Sequence, residues 1–349
     1  MKNNGAASVL ACLGAVIGAG FASGREIVSF FTRYGVHAWW LIGVAAGMTA
    51  LLCVLITESA RRFGSGLGWC GLFPGKAWAA QGCALVLMIV TGGAMVSAAG
   101  QMISLLWASR WAYSVGVVGT LLAAWQLGQG NLRVLGWISG ALTAMLCAVL
   151  ALAMAGTVSR PVVMLDAPLS AAGLAKAAIR AAAYAAMNMT LAISVVCQCA
   201  RSRAQNLRLS AVFGGGMALL LCVSNLLYLR HPERLDAAFP LVELLRGFGR
   251  RGFLTSVALL YLSILTTLVA VLYALRGAAQ SHVQSPVLQA ISAMGLPLAV
   301  SCFGFSGIVE TLYTPIGIVC LFVVFLPLGL RIFREAKEGL DKSPIHTVR

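Results

Sequence analysis

Charged residues are scarce in this sequence, and their scarcity excludes an ordinary water-soluble protein. Of its 349 residues, only 10% are Asp, Glu, Lys or Arg, whereas 60% are hydrophobic. Because about 20 consecutive apolar residues suffice to cross a bilayer once, this composition predicts a polytopic membrane protein with the lipid bilayer as its solvent. No stretch of the chain has the composition of a separate soluble domain.

Catalytic motifs are absent as well. The four histidines lie in loops or at the ends of apolar segments, and no HExxH, GxSxG or P-loop pattern occurs. We therefore expect no enzyme activity and no cofactor. Without an ATP-binding element, any transport has to be driven by an ion gradient.

Neither a soft-metal site nor a nucleic-acid site is indicated. Cys197 and Cys199 lack the CxxC spacing of zinc and redox sites, so the ten cysteines are expected to be mostly buried, reduced thiols. The net charge is +15, but the Lys and Arg residues lie at segment ends without interleaved aromatic residues. That arrangement argues against a nucleic-acid partner and for membrane helices whose basic ends face the cytoplasm.

Apolar segments predict ten membrane spans, the first of which is expected to be a span rather than a cleaved signal peptide. An even number places both termini on one side, and the positive-inside rule makes that side the cytoplasm. The arginine-rich segment 230–251 is the main departure from this rule. Its amphipathic part around Pro240 to Phe248 is expected to be either a surface helix that caps the extracellular vestibule or an ordinary interfacial helix. The predicted spans are 6–34, 36–60, 78–107, 112–127, 132–156, 172–199, 208–229, 252–275, 287–306 and 308–330.

The first span contains four glycines within residues 14–24, GAVIGAGFASG. Each interior glycine costs a helix about 1 kcal/mol relative to alanine, so this density predicts a break at Gly18, Ala19 and Gly20. A broken helix presents free carbonyls to a cation and free N–H groups to an anion, at a site that substrate can reach. Close helix packing through Gly14 and Gly18 is the alternative interpretation.

Arg25 and Glu26 follow this segment directly. Charges at bilayer depth are rare unless they face a cavity or a partner. The two residues are predicted either to close an extracellular gate or, in the case of Glu26, to carry the proton that drives transport. Glu310 opens the tenth span in a similarly polar fashion, without an assigned role.

Span 6 is alanine-rich and carries Tyr184, Asn188 and Thr190 near its middle. We expect it to be interrupted near Ala185 to Asn188, because interrupted helices in two halves of a chain are typical of inverted-repeat transporters. Ala185 and Ala186 would let backbone approach a ligand, and the Asn188 amide can donate and accept. A continuous packed helix is the alternative.

Spans 3 and 8 supply the remaining candidates. On span 3, Ser97 lies between Gly93 and Gln101 on a small, polar face that would either flank the pocket or serve only as a helix contact. On span 8, Ser263, Thr266 and Thr267 are spaced i, i+3 and i+4, so their oxygens share one face and suit a hard cation such as Na⁺. Hydrogen bonds back to the preceding turn are the alternative for these hydroxyls.

The motif GAVIGAGFASGREI, followed by ten spans and a Ser-x-x-Thr-Thr on the eighth, resembles the YkvI-type bacterial membrane proteins. These belong to the amino acid/polyamine/organocation transporter superfamily, which has the LeuT-type fold. The resemblance implies an all-α protein of the bacterial cytoplasmic membrane with five-plus-five inverted repeats and broken helices 1 and 6. The repeats would cover about 6–156 and 172–330 of a single domain, 1–349, with a cytoplasmic tail at 331–349.

The resemblance also implies a sodium site. Its ligands would be the hydroxyls of Thr266 and Thr267, the carbonyl of Ser263, and the carbonyls of Gly14 and Ile17. We therefore predict a secondary transporter that moves a small organic solute, an amino acid or related zwitterion, driven by Na⁺ or H⁺. The alternative is a non-transporting nutrient sensor or germination-receptor-like subunit with the same fold.

Overall fold

The computed structural model describes residues 5–64, 69–73, 77–129, 132–280 and 284–341, and within these ranges it is helical with no β-strand. The helices up to residue 301 are α1 (Gly5–Val16), α2 (Ala19–Ser23), α3 (Arg25–Phe30), α4 (Ala38–Phe63), α5 (Ala77–Leu106), α6 (Ala112–Leu127), α7 (Leu132–Gly156), α8 (Ala171–Gln198), α9 (Arg203–Leu229), α10 (Pro240–Arg246), α11 (Gly249–Gln280) and α12 (Pro286–Ser301). Helices α13 (Phe305–Gly307), α14 (Tyr313–Cys320) and α15 (Leu326–Asp341) follow, separated by two π-helical turns.

The helix lengths agree with the predicted spans. Seven helical stretches in the described part of the chain are long and apolar enough to cross a membrane, and α6 and α12 are shorter apolar helices of 16 residues each. Together with the segmented first span these make ten. Helix α10 lies within the segment where a short amphipathic helix was expected.

The predicted break in the first span is confirmed. The N–H of Gly18 donates to the carbonyl of Val16 (3.0 Å) instead of that of Gly14, so the α1 ladder ends there. A second break follows at Gly24, whose φ of +80° favours glycine. A Cβ atom at Gly24 would lie 2.1 Å from the Tyr228 hydroxyl oxygen. The first span is therefore three short helices rather than one.

The predicted interruption of span 6 is wrong, because α8 is one continuous helix of 28 residues. Alanine is the best helix former, and the polar side chains in the middle of α8 bond within the helix. The Asn188 amide donates to the carbonyl of Tyr184 (2.9 Å), and the Thr190 hydroxyl donates to that of Ala186 (2.8 Å). These residues therefore have local partners and do not require an unwound backbone.

Span 10 departs from regular α-helix in a different way. Its π-helical turns at Ile308–Leu312 and Leu321–Phe325 each end shortly before a proline, Pro315 and Pro327 respectively. Proline lacks the N–H that bonds to the carbonyl four residues earlier, and its ring crowds that carbonyl. A π-turn accommodates the mismatch without ending the helix.

The helices pack so that the break in span 1 lies inside the bundle. Helix α1 packs against α7, α8 and α9, while α2 contacts α11. Helix α11 in turn packs against α5, α6 and α7. All ten cysteines are free thiols, five of them buried.

Candidate functional site

A cavity of about 570 Å³ surrounds the break in span 1. This volume is within the range of small-molecule sites, about 300–1,000 Å³. Its wall is formed by α1, α2, α5, α7, α8, α11 and α14, with Glu26 contributed by α3. The lining is mostly apolar, with a few polar groups and backbone from the break.

Most of the predicted site residues line this cavity. They are Gly18, Ala19, Gly20 and Asn188 from the predicted solute set, Gly14, Ile17, Ser263, Thr266 and Thr267 from the predicted ion set, and Glu26. A chain break and one face of α11, more than 200 residues apart in sequence, thus meet at one place.

Three predicted solute-binding residues lie elsewhere. Ala185 and Ala186 are fully buried in the packed face of α8 and do not line the cavity. The Ser97 hydroxyl bonds the Tyr113 hydroxyl of α6 at 3.2 Å. Its neighbour Gly93 packs against α12, where an added Cβ would lie 2.6 Å from Val300. In this structure Ser97 and Gly93 therefore contact neighbouring helices and do not line the cavity.

The hydroxyls of α11 face the break directly. Thr267 Oγ1 lies 3.3 Å from the position that a Cβ on Gly18 would occupy. Thr266 Oγ1 donates to the carbonyl of Ser263 (3.1 Å), so back-bonding uses its proton but leaves oxygen lone pairs available. Gly14 packs against Gly140 and Thr143 of α7, so small-residue packing also occurs in span 1.

Arg25 does not pair with its neighbour Glu26. Its guanidinium donates to the Glu310 carboxylate through Nη2 and to the carbonyls of Leu235 (3.0 Å) and Ala237 (3.3 Å) through Nη1. A gate built from Arg25 would thus link α3 to the start of span 10 and to the segment between α9 and α10.

Glu26 is brought into the cavity by the bend at Gly24. Residues 20 and 26 are about 120° apart around a continuous helix and would point in different directions. In this structure a Cβ on Gly20 would overlap the Glu26 carboxylate, 1.8 Å from Oε1. The carboxylate therefore lies against the backbone of the break.

Several lining residues were not predicted from the sequence. Met88, Thr91 and Met95 come from the face of α5 that is nearly opposite the one selected. Gly136 and Gly140 come from α7, where the Gly-x-x-x-Gly spacing was the available signal. For Glu310, the partner of Arg25, the sequence showed only an acidic residue at the start of a span.

No protein-family model matches the sequence. Over 53 residues, the chain is 49% identical to the uncharacterised membrane protein YkvI of Bacillus subtilis (strain 168), and this match covers 15% of each protein. The structure of MhsT in complex with L-phenylalanine is similar over 92% of this chain and 86% of MhsT, with a TM-score of 0.58 and 14% identity. These similarities confirm the predicted resemblance and the LeuT-type fold of this multi-pass membrane protein.

Proposed function

We propose that this protein is a secondary active transporter that moves a small organic solute, an amino acid or a related zwitterion, by alternating access. The observation that carries the proposal is the cavity at the break in span 1, where backbone and the α11 hydroxyls converge. A broken helix at membrane depth is tolerated only where protein buries it or where it lines a polar cavity. The shared fold with MhsT, a protein solved with an amino acid bound, supports the same assignment.

The coupling ion in this proposal is Na⁺. Five predicted ligands, the hydroxyls of Thr266 and Thr267 and the carbonyls of Gly14, Ile17 and Ser263, belong to residues that line one cavity. The carbonyl of Gly14 is released from the α1 ladder because the N–H of Gly18 turns to Val16. Neutral hydroxyl and carbonyl oxygens suit a hard cation and are poor ligands for soft metals.

In this mechanism the ion would hold the end of α1 against α11, and the solute would bind beside it, between the break and α8. Asn188 uses one of its two amide N–H groups on the Tyr184 carbonyl, and its side-chain oxygen can accept a hydrogen bond from solute. Release of the ion to the other side would loosen the contact of α1 with α11 and open the cavity there.

Uptake into proteoliposomes tests the proposal. An amino-acid panel would be offered with an inward Na⁺ gradient, an inward proton gradient, or neither. We expect accumulation with the Na⁺ gradient. Accumulation with the proton gradient alone would identify H⁺, and not Na⁺, as the coupling ion. Solute binding without accumulation under any gradient would favour the sensing subunit over the transporter.

A further inference from the structure

Glu26 is a buried carboxylate without a partner. Its residue is 8% exposed, and it has no hydrogen bond or ion pair with any residue that the structure describes. A charge removed from water is normally paired, because its lost hydration is costly. The carboxylate opens onto the cavity, where a ligand can supply the missing partner.

No cation among the described residues fills that place. Arg25, the neighbouring residue, is committed to Glu310 and to two carbonyls of the segment that follows α9. Among the described residues that line the cavity, Glu26 is the one charged side chain. The cavity thus holds one acidic group in a largely apolar wall, and the ionised form of that group favours a positively charged partner.

We propose that Glu26 binds the protonated amino group of the solute, so that the protein takes small primary amines with an apolar body. This inference rests on the proposed function in that it concerns the same cavity. An ammonium group on a carboxylate makes charge-assisted hydrogen bonds, which are the stronger kind. Met88, Met95 and Leu191 supply apolar contact for the rest of the solute.

Charge balance then links the solute to the coupling ion. A simple amine brings one positive charge and neutralises Glu26 by itself. An amino acid also brings a carboxylate, so its binding leaves one negative charge in the cavity unless Na⁺ enters too. We therefore infer that amines bind with or without Na⁺, whereas amino acids require it.

Three ligands with the same apolar body separate these cases: 3-methylbutylamine, L-leucine and 4-methylpentanoic acid. Binding to the detergent-solubilised full chain would be measured by calorimetry, with Na⁺ or with a large organic cation in its place. We expect the amine to bind in both salts, leucine to bind only with Na⁺, and the acid not to bind.

Glu26→Gln keeps the shape of the side chain and removes its charge. We expect about a tenfold to hundredfold loss of amine affinity, as for one charge-assisted hydrogen bond. Because the variant removes an unpaired buried charge, its thermal stability should equal or exceed that of the wild type. Glu243→Gln, the same change on α10 outside the cavity, is the control and should bind the amine as the wild type does.

The inference is overturned by an acid that binds as tightly as the amine, or by a Glu26→Gln variant that keeps wild-type amine affinity. Absence of amine binding at millimolar concentration, for methylamine and 2-phenylethylamine as well, would also overturn it. Glu26-dependent binding without uptake would leave this inference standing and contradict the transporter proposal. Uptake of a solute that has no amino group would support the transporter proposal and contradict this inference.

Discussion

The hydroxyl oxygen of Thr267 faces Gly18 so closely that a Cβ atom on that glycine would lie 3.3 Å from it. This contact joins α11 to the end of α1, two elements that belong to different predicted repeats. It lies where the α1 hydrogen-bond ladder ends and backbone carbonyls become available. The relative position of these two helices is therefore sensitive to whatever binds between them.

Replacing Thr266 and Thr267 together by valine tests the ion ligands. Valine keeps the β-branched shape and removes two oxygens, which leaves Na⁺ with too few ligands to replace its hydration shell. In the wild type, Na⁺ should raise the melting temperature by mass action, and in the variant it should not. The double variant Thr49→Val/Thr57→Val removes two back-bonded hydroxyls from α4 and should keep the Na⁺ response. If Na⁺ raised the melting temperature of the Thr266/Thr267 variant as much as that of the wild type, the α11 hydroxyls would not be ion ligands and would serve only in helix packing.

Gly20→Ala should weaken solute binding without unfolding the protein. The added Cβ would overlap the Glu26 carboxylate, which is the end of a flexible side chain and can move away. We expect about a tenfold loss of affinity for the amine, since the carboxylate leaves its place in the cavity, and Gly20→Leu should abolish uptake. Gly47→Ala, where a Cβ meets no atom within 4 Å, is the matched control. Unchanged solute binding by both Gly20 variants would show that the solute site does not lie at the break.

Glu310→Gln tests the buried ion pair with Arg25 and also removes the more exposed pair that Glu310 makes with Arg33 (3.3 Å). The Arg25 guanidinium is 7% exposed and would keep two carbonyl partners but lose its carboxylate. Loss of one partner of a buried pair costs about 3–5 kcal/mol, and the 35% exposure of Glu310 reduces this to about 1–2 kcal/mol. Chemical unfolding in detergent would measure it. Asp236→Asn breaks the pair that Arg33 makes with an almost fully exposed carboxylate and should cost no more than about 0.5 kcal/mol. Equal losses in the free energy of unfolding for Glu310→Gln and Asp236→Asn would contradict the stabilising role of the buried pair between Arg25 and Glu310.

His231 predicts a loss of stability in mild acid. Burial, and then the positive charge of Arg160 beside it, lowers the pKa of His231 below its ordinary value of 6.5. Between that lowered value and 6.5 the unfolded chain binds more protons than the folded chain, so stability decreases as the pH falls through this window. Arg160 Nη1 lies 3.0 Å from Nδ1, a geometry that suits a neutral ring. Between about pH 7 and pH 5, the melting temperature of the His231→Gln variant should fall less than that of the wild type. Parallel pH profiles would show that other groups cause the loss.

The span positions and the break in span 1 could be predicted because hydropathy and glycine content act locally along the chain. The interruption of α8 was predicted wrongly because the side chains of Asn188 and Thr190 donate hydrogen bonds to carbonyls of the preceding turn. Composition does not reveal whether a polar side chain bonds within its own helix or to a ligand. The pair between Arg25 and Glu310 joins residues 285 positions apart, and sequence spacing carries no information at that range. The same holds for the approach of Glu26 to Gly20, which depends on the bend at Gly24.

The connection between α9 and α11 is tied to the first span at several points. Arg25 holds the carbonyls of Leu235 and Ala237, and a Cβ on Gly24 would lie 3.2 Å from the backbone nitrogen of Leu241. Surface connections are usually the places where a chain tolerates insertions. This one is different, because an epitope or fluorescent domain inserted between residues 235 and 241 would pull on the helix that carries Glu26. Homologous proteins should therefore keep the length of this connection more strictly than its residue types, and tags belong elsewhere on the molecule.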